Sequence, residues 1–82
     1  MARVMVRSGV LQDAQETSGI DTDDAMARAI GVSKSTYQRV RDRRQSPTSN
    51  FIAGACIAFS LSIDQLVELI VDETETNLDP AA

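Results

Sequence analysis

The residues that decide the fold are Asp23-Asp24-Ala25-Met26-Ala27-Arg28-Ala29-Ile30-Gly31-Val32-Ser33-Lys34-Ser35-Thr36-Tyr37-Gln38-Arg39-Val40. Two short helices that cross steeply need a small side chain where they approach most closely, and Ala27 supplies one. The bend between them needs a residue that tolerates positive φ, and Gly31 stands four positions on. Apolar groups must meet inside the angle. Met26, Ile30, Val32, Tyr37 and Val40 are spaced to do so, with Ala29 beside Met26 and Ile30 on the inward face. Thr22 and Ser33 precede the two helices, and their hydroxyls can accept from the free amides of a first turn. Asp23 and Asp24 lie in that first turn, where the helix dipole favours negative charge. Two helices joined by so short a turn form a helix-turn-helix.

Working outward, an N-terminal helix is predicted from Val4 or Ser8 to Thr17, with Val10, Leu11 and Ala14 on its apolar face and Ser18-Gly19 ending it. Residues 1–7 fit a loose arm, an extension of that helix or a short strand. Beyond the motif, Pro47 in Gln45-Ser46-Pro47 interrupts any continuous helix. Thr48 or Ser49 caps a fourth helix to about Ser60, with Phe51, Ile52, Ala55, Cys56 and Phe59 along one face. Ser62 or Asp64 opens a fifth helix carrying Ile63, Leu66, Val67, Leu69, Ile70 and Val71. Those side chains wrap more than half of it, more than so small a domain covers, so Val67, Ile70 and Val71 are candidates for an interface; the competing reading is that they close the core. The expected fold class is all-α, a five-helix domain over 1–73 followed by a flexible acidic tail over 74–82.

With 82 residues, 43% of them apolar, the chain suits one small globular domain. Tyr37, Phe51 and Phe59 are its only aromatic residues, so the core is mostly aliphatic. Cys56 is the single cysteine and there is no histidine, which excludes an internal disulfide and leaves a zinc site short of ligands. Asp21, Asp23 and Asp24 crowd a helix N-terminus and need no metal there. No nucleophile is paired with a base and no Gly-rich phosphate loop is present, so catalysis, cofactors and small-molecule ligands are not expected. No apolar run approaches the roughly 20 residues that cross a bilayer, and the start is too soon interrupted for a signal peptide. No membrane partner and a cytoplasmic setting follow as expectations.

The net charge of −4 conceals a sharp segregation. Arg28, Lys34, Arg39, Arg41, Arg43 and Arg44 are opposed within their stretch only by Asp42, a local balance of +5. From Asp64 onward there are six acids and no base. A nucleic-acid surface needs positive potential on one face only.

The small Ala27, the Gly31-Val32 turn and the later apolar Val40 resemble the helix-turn-helix of the bacteriophage Cro and repressor family, also called the XRE family. Arg43-Arg44-Gln45-Ser46-Pro47-Thr48-Ser49-Asn50-Phe51 is similar to that family's loop into its fourth helix. Phe59-Ser60-Leu61-Ser62-Ile63-Asp64-Gln65-Leu66 is similar to its junction between helices four and five. The resemblance covers about 11–69. It implies sequence-specific binding of double-stranded DNA by a Cro-like transcriptional repressor of a bacterial or phage-infected cell, with helix three in the major groove. Lys34, Ser35, Gln38 and Arg39 would then face base edges, Arg39 foremost because its rigid fork donates twice. Ser33, Arg41, Arg43, Arg44 and Thr48 would hold phosphates, and a homodimer would span two operator half-sites. Arg28 is expected to face solvent or a nearby acid, while Arg3 and Arg7 either join the DNA face or stand apart from it. Two departures stand out. Asp23 and Asp24 replace a Gln that helps hold phosphate, and Tyr37 takes a usually aliphatic position. These acids and the net charge motivate an alternative, a protein-interaction module derived from the motif; an antitoxin-type autoregulator is a second.

Overall fold

A computed structural model describes residues 2–71. In chain order it contains β1 (Ala2–Val6), α1 (Val10–Ser18), α2 (Asp23–Ile30), α3 (Lys34–Arg41), α4 (Ser49–Phe59), α5 (Ile63–Leu66) and β2 (Val67–Val71). The acidic tail expected over 74–82 lies outside the described residues, as do Asp72 and Glu73.

Local chemistry sets the helix ends. Thr22 accepts from the Ala25 amide, Ser33 from Thr36, Thr48 from Phe51 and Ser62 from Gln65, so each of these hydroxyls satisfies an otherwise free donor. Gln65 returns the bond to the Ser62 amide at 2.8 Å, completing a capping box around the single turn of α5. At the elbow, Gly31 takes φ 96°, and the amides of Gly31 and Val32 both donate to the Ala27 carbonyl, at 2.8 and 2.9 Å. This pair of hydrogen bonds to one oxygen closes α2 and turns the chain into Ser33.

The core is continuous. Met26, Ala27 and Ile30 from α2 meet Tyr37 and Val40 from α3, Phe51 and Ala55 from α4, Leu11 and Ala14 from α1, Val6 from β1 and Leu66 from α5. Gly54 marks the tightest crossing, where α4 lies on the C-terminal end of α2. A Cβ there would collide with the backbone carbonyl of Ile30. Ala29, expected to face inward, is exposed, and Ala27 takes the covered position instead.

The all-α expectation is corrected by a two-stranded antiparallel ribbon. β1 pairs with β2 in the register Ala2↔Val71, Arg3↔Ile70, Val4↔Leu69, Met5↔Glu68, Val6↔Val67. Helix five stops after one turn because Val67 turns extended, with φ −122° and ψ 162°. The β-branched Val67, Ile70 and Val71 suit a strand better than a helix that has no neighbour to cover its far side. The interface candidates Val67, Ile70 and Val71 therefore stand on a strand, where Val67 and Val71 share one face and Ile70 takes the other. Likewise β1, one of the alternatives for the N-terminal residues, is the strand, and α1 begins only at Val10 after Gly9 in left-handed geometry. Among the described residues no helix is long and apolar enough to cross a membrane.

Candidate nucleic-acid interface

Helix α3 has two faces of opposite character. Tyr37 and Val40 are wholly buried. Lys34, Ser35 and Arg39 are exposed, and Gln38 lies half-buried at the margin. Tyr37 is accommodated in the core because its hydroxyl donates to Gln15 Oε1 at 3.3 Å. Burial raises the Tyr37 phenol above its ordinary range, so the ring stays neutral.

The basic stretch divides sharply once partners are placed. Arg41 is not free. Its guanidinium meets Asp23 at 2.9 Å and Asp42 at 3.0 Å, and lies 5.5 Å above the Tyr37 ring. The hydrogen bonds of Asp42 and Asp23 push its pKa still higher. In return, Gln38 and then Arg41 hold the Asp23 carboxyl below its usual range, and Arg41 does the same for Asp42. Arg43, in left-handed geometry just past α3, meets Glu68 of β2 at 3.1 Å; Arg7 reaches the same carboxylate at 3.5 Å. Arg28 pairs with Asp24 at 3.1 Å, one turn away on α2, matching the expected nearby acid.

Among the described residues, Lys34, Arg39 and Arg44 are the cations of the stretch without a carboxylate partner. Arg39 Nε donates to Gln45 Oε1 at 2.8 Å, which steadies its stem while the rest of the fork stays unengaged. The structure thus brings Lys34, Ser35 and Arg39 together on one open face, with Arg44 exposed just past the helix. It draws Gln38 and Arg41 toward α2 and Arg43 toward β2. Ser33 and Thr48 spend their oxygens on capping, although both remain at the surface.

By the resemblance, Asp23 stands where a phosphate-holding Gln is expected. Its carboxylate instead accepts from Gln38 Nε2 at 3.0 Å and pairs with Arg41, and Asp24 is offset by Arg28, so neither acid stands uncompensated beside α3. The partners Gln45 and Glu68 were not foreseen, because neither is related to Arg39 or Arg43 by a helical spacing.

Family models, curated proteins and solved structures show no match to this chain.

The described residues contain no group of three His, Cys, Asp or Glu side chains able to hold a metal ion. Cys56 is a half-buried free thiol beside Ile52, Ala53, Ile57 and Ile63, in an apolar groove on the outer side of α4. Chemically, the α3 face offers an ammonium, a guanidinium fork and a hydroxyl on one rigid element. That combination suits the acceptor-rich edges and phosphates of a duplex.

Proposed function

We propose that the protein binds double-stranded DNA in a sequence-dependent way and regulates transcription, in the manner of a small Cro-like repressor. One observation carries the reading. Lys34, Ser35 and Arg39 occupy the open face of a helix whose opposite face is sealed into the core, at the far side of a tight glycine elbow. A helix fixed in this way can enter a groove without rearrangement, and its N-terminal turn, where Lys34 and Ser35 lie, comes nearest the bases. Arg44 supplies a phosphate contact, and the α3 N-terminus with Ser33 supplies a second.

The active form in this proposal is a homodimer, since one helix reads too few base pairs to select a site. The outer edge of β2 supports it. That edge has no partner among the described residues, and Leu69 and Val71 beside it are 72% and 55% exposed. Val67-Glu68-Leu69-Ile70-Val71 reads almost alike in both directions. Antiparallel pairing of two copies about Leu69 sets Glu68 against Ile70 and so opposes no two like charges.

A second reading, docking of another protein, is favoured by one feature: Ile57 and Ile63 are 81% and 63% exposed on the side of α4 and α5. Selection from random duplexes, followed by titration over a salt series, separates the two. Expected are an enriched site, tighter binding of that site than of random duplex, and an affinity that rises as salt falls. Absence of binding even at low salt would discard the DNA reading in favour of the docking one.

A further inference from the structure

Resting on the DNA-binding reading, we propose that Asp23 is a positioning residue for base recognition. It turns the Gln38 amide so that the nitrogen faces α2 and the oxygen leads outward, and position 38 therefore reads a hydrogen-bond donor, adenine N6 or cytosine N4. A free glutamine side chain can flip its amide and present either end. Here one end is taken. An ionised carboxylate only accepts, so the amide end beside Asp23, at 3.0 Å, must be the nitrogen. The Gln38 oxygen has no protein partner among the described residues and is not sealed from solvent.

Asp23 can hold the amide because it is itself held. Arg41 grips it at 2.9 Å, Asp42 steadies Arg41 from the other side at 3.0 Å, and Arg41 rests over the buried Tyr37 ring. Orientation thus passes from the core through Tyr37 and Arg41 to Asp23 and on to Gln38. An oxygen-first amide meets the exocyclic amine of adenine or cytosine favourably. Against guanine or thymine, whose exposed polar atoms in the major groove are acceptors, it faces like polarity.

The test is selection from random duplexes with wild type, Asp23→Ala, Asp23→Glu and Gln38→Ala, with affinities then measured on four duplexes differing at the affected base pair. Wild type is expected to prefer adenine or cytosine at one base position. Asp23→Ala should still bind but lose roughly three- to tenfold of that preference, the size of one hydrogen bond, with preferences elsewhere intact. Gln38→Ala should lose it at the same position, and Asp23→Glu, which keeps an acceptor, should retain it. Asp23→Ser, well suited to a first turn, replaces Asp23→Ala if the latter fails to fold. An unchanged preference in Asp23→Ala, an unchanged preference in Gln38→Ala, or guanine or thymine as the favoured base there overturns the assignment while leaving DNA binding intact. Failure of the wild type to bind any duplex overturns both.

Discussion

At the scale of single residues, the positions that matter most are those where one atom decides whether a backbone can pass. Gly54 is the clearest case, because the Ile30 carbonyl occupies the space a side chain would need. Gly54→Ala is expected to destabilise the fold by about 3 kcal/mol, the upper range for overpacking, read as a lower urea midpoint. Nothing near Gly54 in the chain announces this, since its obstacle lies in another helix. By contrast Thr22, Ser33, Gly19 and Gly31 were legible because a cap or a left-handed turn is set by neighbours a few positions away. Acid should expose the Arg41 network. Asp23 and Asp42 titrate below the usual carboxyl range in the folded state, through Gln38 and Arg41 for Asp23 and through Arg41 for Asp42. Their contribution to stability is complete above the unfolded carboxyl range and disappears as pH falls through the folded values. Urea midpoints should thus show no loss from this pair between pH 7 and 5 and a decline below about pH 4, with a shallower decline in Arg41→Met. Arg39→Ala should cost about 1–3 kcal/mol on a preferred duplex and much less on a random one, measured by competition; equal losses would remove Arg39 from the base-reading set.

At the scale of elements, the helices of the elbow were readable and the last element was not. Ile63, Leu66, Val67 and Ile70 repeat at helical spacing, while Val67, Leu69 and Val71 alternate at strand spacing, so the segment satisfies both periods. What breaks the tie is a strand sixty-odd positions away, whose hydrogen bonds no local pattern reports. The helical face of α3 was recovered in outline, but which polar side chains on it stay available depends on Asp23 and Gln45, and the availability of Arg43 just past it depends on Glu68, three residues from three other segments. Element β2 also carries a test of assembly. Leu69 is largely exposed, so Leu69→Lys should leave the domain folded yet place two like charges together at the proposed two-fold axis. Sedimentation is expected to show a dimer for wild type and a monomer for the variant. A wild type that stays monomeric at high concentration, on and off DNA, would argue against pairing through this edge.

For the molecule as a whole, net charge misleads and distribution informs. The chain is acidic, yet three of the six cations between Arg28 and Arg44 have no carboxylate partner among the described residues, and these stand on or beside α3. A phosphate contact by Arg44 should appear in the salt dependence. Arg44→Ala is expected to weaken binding to every duplex about equally and to lower the steepness of log affinity against log salt by about one. Folding of the whole also requires a meeting across most of the chain. The strand that opens the described residues pairs with the strand that closes them, and Ser46 Oγ reaches Met5 Sδ of that first strand at 3.4 Å. Because Ala2 sits opposite Val71, the two extremities of the domain emerge side by side. A donor and an acceptor dye attached at these positions would report ribbon opening directly, as a loss of energy transfer that precedes melting of the helices. The same adjacency means that a short linker from Val71 back to Ala2 would close residues 2–71 into a ring and hold the ribbon shut.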